Sequence, residues 1–213
     1  MTKRFVLVAG NIGAGKTSLT ERLAARLGWR AAYESVTDNP YLADFYADMR
    51  TWSFHLQVFF LGHRAAQHQA LAKDRQSAII DRSIYEDAFI FARALNEMGN
   101  MTERDYLSYR RLFDVVVGEL PPPDLLIYLR ASAPVLMERI SKRGRAIESG
   151  INADYLSLLD RYYDEWLRDF ATCPVLMIES DNLDFVHRSD HLDVVVARIE
   201  DRLSGKEHVV FPN

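Results

Sequence analysis

Gly10-Asn11-Ile12-Gly13-Ala14-Gly15-Lys16-Thr17, directly after the apolar run Phe5-Val6-Leu7-Val8-Ala9, decides how this chain is read. It fits the pattern G-x-x-x-x-G-K-[ST]. The glycines let backbone N–H groups close around phosphate oxygens with no Cβ in the way. A helix starting near Lys16 points its positive N-terminal end at the same anion. In such a loop the lysine reaches the β- and γ-phosphates and the Thr17 hydroxyl ligates Mg²⁺. A glycine-rich turn with a coincidental Lys-Thr is the competing reading, and it does not account for the apolar strand before and the amphipathic helix after.

Outward from this loop, short apolar runs alternate with longer helical patterns, which predicts an α/β fold with a mostly parallel sheet. Strands are expected at Arg4–Ala9, Ala31–Glu34, Ser77–Asp81, Leu125–Leu129 and Val175–Glu179, buried on both faces. Helices are expected near Lys16–Leu27, Pro40–Asp48, Thr51–Lys73, Tyr85–Asn96, Thr102–Leu120, Ala133–Arg143, Ala153–Phe170 and Ser189–Ser204. Ser132 suits the cap of the sixth helix, with Pro134 in its first turn, and Thr102 with Asp105 resembles a capping pair. Leu156, Leu159, Tyr163, Trp166 and Phe170 follow helical spacing and are expected to face the core. The chain reads as one domain over residues 1–213, with a loose tail from about 205 to 213.

Composition narrows the class. The 213 residues are 48% hydrophobic and 26% charged, with a net charge of -4. That is ordinary for a globular domain and argues against a general nucleic-acid binder. Cys173 is the single cysteine, so no internal disulfide forms and a reducing compartment is the simplest home. The first apolar run is too short for a signal-peptide core, and no stretch approaches the roughly 20 residues of a membrane span. The expectation is a cytoplasmic chain with no membrane partner.

Several side chains carry candidate chemistry. Asp81 ends an apolar strand, where a magnesium-side carboxylate sits in proteins with this loop; the same position also suits a helix cap before Ile84-Tyr85-Glu86. Glu34 closes the second strand, and strand C-termini in open α/β sheets face the ligand crevice. A carboxylate there takes a proton from an attacking hydroxyl, unless it is simply a solvated loop residue. Arg139, Arg143 and Arg145 cluster with Lys142 around a helix end at Gly144. They complement the helix dipole or clamp a transferring phosphate from a lid over about 139–150. Gln57 offers a donor and an acceptor together, suited to a nucleobase edge, although a surface glutamine is the commoner case. The six histidines show no zinc-like spacing.

The order of these motifs resembles the deoxynucleoside kinase family. The residues that carry it are the phosphate loop, Tyr33-Glu34-Ser35, Trp52-Ser53-Phe54 with Gln57, Asp81-Arg82-Ser83, and Arg143-Gly144-Arg145 with Glu148. Asp38-Asn39-Pro40-Tyr41 and Ile84-Tyr85-Glu86-Asp87 look most like the bacterial deoxyadenosine kinase type. The resemblance implies a P-loop kinase fold with a five-stranded parallel sheet. It also implies ATP as donor with Mg²⁺, a homodimer, and a place in nucleotide salvage. By position, Glu34 corresponds to the base for the 5′-hydroxyl and Arg82 to the residue holding that hydroxyl. Tyr46 and Glu148 correspond to contacts of the 3′-hydroxyl, Gln57 to the base-pairing amide and Phe91 to the aromatic stacked on it. Lys16 and Gly10 to Ser18 correspond to the ATP-phosphate site, Arg139, Arg143 and Arg145 to the lid arginines, and Asp184 with Phe185 to the loop at the donor adenine. Arg64 with Asp87 resembles the pair found in enzymes for deoxycytidine and purine deoxynucleosides, which puts deoxyadenosine first, with deoxyguanosine and deoxycytidine behind it. Asp81 stands where many relatives carry Glu, so the shorter acid is expected to reach Mg²⁺ directly or through a water, and Ile147 stands where some carry a second acid.

Two other readings compete. A thymidylate-kinase-like nucleoside monophosphate kinase would share fold and loop, but its anionic acceptor calls for basic groups rather than a carboxylate at Glu34. A regulatory nucleotide switch would need a guanine-reading Asn-Lys-x-Asp segment, which the sequence lacks.

Overall fold

Phe5–Gly10 forms strand β1, buried along its whole length. Its side chains alternate between two cores, because successive Cβ atoms of a strand point to opposite faces. Phe5, Leu7 and Ala9 join one cluster of buried residues; Val6 and Val8 join the other. In the computed structural model, which describes residues 2–33, 39–145, 148 and 150–205, these clusters lie on the two sides of one sheet.

The sheet has five strands in the order β2-β3-β1-β4-β5, every pairing parallel. The others are β2 (Arg30–Ala32), β3 (Ala78–Asp81), β4 (Leu125–Arg130) and β5 (Val175–Glu179). Central β1, β3 and β4 are buried almost throughout, as expected. The outer strands β2 and β5 are only partly covered, since an edge strand has one neighbour. The second strand stops at Ala32, short of the expected Glu34.

Helices α1 (Lys16–Leu27), α7 (Ala133–Arg143) and α9 (Ser189–Ser204) match their expected bounds. They supply Leu19, Leu23, Leu136, Ile140, Val195 and Ile199 to the core shared with Val6 and Val8. The other face is covered by α3 (Met49–Lys73), α6 (Glu103–Gly118) and α8 (Ala153–Asp169). On α8, Leu156, Leu159, Tyr163 and Trp166 are buried and Phe170, just past its end, is half-buried. A short α2 (Leu42–Ala47) precedes α3, and the Asp48 side chain caps α3 by accepting from Thr51 N. Thr102 caps α6 by accepting from Asp105 N, as the capping-pair reading holds. Ser132 occupies the cap position of α7, but its side chain makes no capping bond; its N–H instead donates to Asp181 Oδ1 at 2.8 Å.

The expected helix over Tyr85–Asn96 is three pieces: α4 (Ile84–Glu86), a π-helical stretch Asp87–Ala92, and α5 (Arg93–Glu97). The expected loose tail begins at Gly205, the left-handed C-cap of α9; residues 206–213 lie outside the described residues. Among the described residues, no helix is long and apolar enough to cross a membrane.

Candidate active site

The site forms at the carboxyl end of β1, where the strand order reverses between β3 on one side and β4 on the other. In open α/β sheets that switch point is where ligands bind. Parallel register sets Val8 beside Asp81 and Gly10 beside Leu129, so loops leaving β1, β3 and β4 converge there.

Two glycines of the loop are required by space. At Gly10 (φ 151°) a Cβ would stand 2.7 Å from the Leu129 carbonyl oxygen. At Gly13 (φ 86°) it would meet the Ile140 side chain at 3.0 Å and the Leu136 oxygen at 3.1 Å. The loop therefore lies tight against β4 and α7. Gly15 precedes α1 with no side-chain cap, which leaves the first N–H groups of the helix directed into the loop. Lys16 Nζ donates to Gly10 O (2.7 Å) and Asn11 O (3.0 Å).

A cavity of about 640 Å³ opens over this loop and is lined by the expected donor-side residues from Gly13 on, while Gly10, Asn11 and Ile12 do not line it. Gly13 to Ser18 form its floor, Arg139, Arg143 and Arg145 one wall, and Asp184 with Phe185 another. Lys16, Arg139, Lys142, Arg143 and Arg145 line it against the acids Glu21, Asp181 and Asp184, so it is locally basic on a chain of net charge -4. Such a cavity draws anions by its field. The three arginines are held differently. Arg139 donates to Ser180 O (2.6 Å) and Ala14 O (3.4 Å), tying α7 to the loop. Arg143 makes a two-pronged pair with Glu148 at 2.6 and 3.0 Å, and Arg145 lies 3.7 Å from the same carboxylate. Thus Glu148, expected at the acceptor sugar, is engaged by Arg143 and Arg145 in this structure. The Phe185 ring is buried, its Cζ 3.3 Å from where a Gly15 Cβ would stand, and Asp184 accepts from the Val186 and His187 N–H groups. The His187 amide and, less so, its ring hold the Asp184 carboxyl below the usual carboxylate range.

Asp81 is buried, and its Oδ2 accepts from the Thr17 hydroxyl at 2.5 Å. The alternative cap role goes to Ser83, whose hydroxyl accepts from Glu86 N while Glu86 Oε2 accepts from Ser83 N. Two hard oxygen donors in contact suit Mg²⁺, which takes one or two protein groups and completes its shell with water and phosphate.

Among the residues expected at the acceptor, Asp87 sits at the centre of a buried charge cluster. Its Oδ2 is 2.6 Å from Arg64 Nε and its Oδ1 3.7 Å from Arg82 Nε. The Arg82 guanidinium lies 3.7 Å over the Phe91 ring, a cation–π contact. The wide π turn puts Asp87 and Phe91, four residues apart, on one side of the chain, where both meet Arg82. Gln57 and Arg64 are two turns apart on α3, both buried, and Gln57 Oε1 has no hydrogen-bond partner among the described residues. A buried acceptor in that state is aimed at something that donates. Tyr46 ends α2 half-exposed, edge-on to Phe45. Glu34, the expected base, lies outside the described residues.

A deoxynucleoside kinase family model matches residues 6–204. The chain belongs to the deoxynucleoside kinase family. This kinase is 37% identical over 196 residues to the deoxyadenosine/deoxycytidine kinase of Bacillus subtilis, covering 91% of this chain and 90% of the relative. It is 38% identical over 208 residues to the deoxyguanosine kinase of Lactobacillus acidophilus, covering 93% and 90%. Its fold superposes on deoxyadenosine kinase from M. mycoides with a TM-score of 0.81 at 28% identity, covering 92% of this chain and 99% of that one. It is accordingly a phosphotransferase that takes ATP as donor and a deoxynucleoside as acceptor. The monophosphate-kinase and switch readings fall away.

The deoxynucleoside kinase also carries side chains around this site that the sequence reading did not single out as functional: Asp160, which anchors the expected loop residue Asn11, Tyr155, Glu86 and Tyr163. Asn11 donates to Asp160 Oδ1 (2.6 Å) and Leu156 O (3.0 Å), anchoring the loop on α8. Burial raises the Asp160 carboxyl above the ordinary carboxylate range. Burial pushes the Tyr155 phenol up to about 12, the charge of Arg82 acting in the opposite direction. Glu86 and Tyr163 are fully buried behind the loop. Their spacing in sequence signals a cap and a core residue respectively, and nothing local marks their contact with Gly10.

Proposed function

We propose that this enzyme phosphorylates the 5′-hydroxyl of a deoxynucleoside, deoxyadenosine first and then deoxyguanosine or deoxycytidine, using MgATP, in nucleotide salvage in the cytoplasm. The observation that carries the reading is the meeting of two sets of side chains at the end of β1 and β3. One is the donor loop with Lys16 and the Thr17–Asp81 contact; the other is the buried Arg64–Asp87–Arg82 cluster one turn along.

Phosphoryl transfer asks mainly for positioning and charge neutralisation. Loop N–H groups and Lys16 hold the β- and γ-phosphates, and Arg143 and Arg145 close over them. Thr17 and Asp81 would hold Mg²⁺, whose charge would offset that of the phosphates. Arg82 orients the 5′-hydroxyl and Glu34 takes its proton, while Tyr46 and Glu148 bind the 3′-hydroxyl. Gln57 pairs with the base edge and Phe91 stacks on it. The Arg64–Asp87 pair polarises a ring nitrogen and an amino or carbonyl edge, which adenine rewards more than thymine. Residues 1–213 act as one domain with a lid over about 139–150. Exposed Leu107, Leu112 and Val115 on α6 support a homodimer through α3 and α6.

The names of the relatives support the base choice: one is a deoxyadenosine/deoxycytidine kinase, another a deoxyguanosine kinase. The test is a steady-state panel of the four deoxynucleosides with ATP and Mg²⁺. The expected result is the highest kcat/KM for deoxyadenosine and the lowest for thymidine; a thymidine preference overturns the base assignment.

A further inference from the structure

Glu86 is a carboxylate with no exposed surface, and both its oxygens are occupied. Oε1 accepts from the Gly10 N–H at 3.1 Å and from the Tyr163 hydroxyl at 2.6 Å. Oε2 accepts from the Ser83 N–H at 2.6 Å. The Tyr163 hydroxyl also lies 2.8 Å from Gly10 O, so its single proton is shared between Glu86 and that carbonyl. Both polar groups of Gly10, the residue that ends β1 and begins the phosphate loop, are thereby tied to the same buried pair.

The other end of the tie is Arg82. It is the described non-glycine residue with positive φ (72°), a backbone state that an arginine holds only when its surroundings over-determine it. Its own N–H donates to Val8 O (2.9 Å), and the next N–H along is the one that Glu86 accepts. A single side chain therefore fixes the mouth of the donor loop and the backbone turn that aims Arg82 at the acceptor.

We infer that Glu86, backed by Tyr163, is a positioning residue that holds the donor loop and Arg82 in register for transfer. A capping glutamate alone needs one bond, to Ser83; the bonds to Gly10 and to α8 serve no helix end. The charge matters as well as the length. A glutamine at this place turns one acceptor into an NH₂ facing either the Gly10 or the Ser83 N–H, and the tie breaks on one side. This inference rests on the assignment of Arg82 to the acceptor hydroxyl.

The test is a double-mutant cycle on the full chain, with kcat and both KM values measured for deoxyadenosine and ATP in wild type, Glu86→Gln, Arg82→Lys and the double variant. A misplacement of about 1 Å in such a site lowers turnover by about 100-fold, and smaller shifts by less. Glu86→Gln is expected to lose kcat by about 10- to 100-fold with both KM values within about threefold of wild type. In the Arg82→Lys background the same change is expected to cost less than about threefold more, because the residue it acts through is already altered. A Glu86→Gln enzyme that loses thermal stability but keeps wild-type kcat at 25 °C overturns the inference. So do additive losses in the cycle with Arg82→Lys itself slow. Wild-type turnover in Arg82→Lys alone overturns the Arg82 assignment and the inference with it. If Glu86→Gln does not fold, Tyr163→Phe, which removes one oxygen, takes its place in the cycle. Sub-additive losses then uphold the tie and additive losses overturn it.

Discussion

At the scale of single residues, what matters is how charge is held out of water. Arg64 and Asp87 are 4% and 1% exposed as side chains, with Arg82 close by, and the cluster survives because each charge faces an opposite one. Removing one partner of such a pair costs about 3–5 kcal/mol, largely the penalty of leaving the other charge buried. Arg64→Met alone is therefore expected to unfold at lower temperature than Arg64→Met with Asp87→Ala, which scanning calorimetry checks. The double variant is also expected to raise the thymidine to deoxyadenosine ratio of kcat/KM, and an unchanged ratio removes the pair from base selection. The residue identities of this cluster were readable through their resemblance to a family pattern. That Arg82 shares Asp87 and lies on Phe91 was not, because residues 64, 82 and 87 meet only when α3 packs against the π turn.

At the scale of elements, the caps and the π stretch decide how side chains are aimed. Thr102 closes α6 with a bond from Asp105 N (3.2 Å) and a hydroxyl contact to Asp105 Oδ2 (2.7 Å). Replacing such a cap with alanine costs about 1 kcal/mol. In a domain of this size that corresponds to roughly 2–4 °C. Thr102→Ala is expected to lower Tm by that amount with turnover unchanged, since the cap bonds only within its own helix start. Caps of this kind were legible because they are local: three residues suffice to make them. The division of Tyr85–Asn96 into α, π and α pieces was not. That stretch is buried nearly all round, so hydrophobic periodicity carries no sign of a widened turn. Ser132 shows the opposite error, a good cap residue whose backbone is recruited by Asp181, 49 positions away.

At the scale of the whole molecule, burial couples stability to pH. His68 on α3 is buried against the Phe5 ring, and its Nε2–H donates to Pro121 O at 2.8 Å. Burial lowers its pKa below the ordinary value of 6.5, outweighing that hydrogen bond. The unfolded chain thus takes up the proton more readily than the folded one. Stability is full above about pH 6.5 and falls as the pH drops through that value toward the folded pKa. Denaturant melts between pH 7.5 and 5.5 are expected to show this loss, and His68→Gln, which keeps a donor for Pro121, to flatten it.

The sequence by itself determined the phosphate loop, the alternation of strand and helix, and the carboxylate at the end of β3. Each is set by local chemistry: glycine's freedom, apolar period, a carboxylate at a strand end. Tertiary structure decided how those parts are locked together. Glu86 looks like a three-residue cap until the fold brings Gly10 and Tyr163 to it from 76 and 77 positions away. It decided too that Glu148 rests on Arg143, and that Arg82 holds a strained turn. Such contacts depend on which helices lie over which strands, and a reading of neighbours along the chain has no measure of that distance.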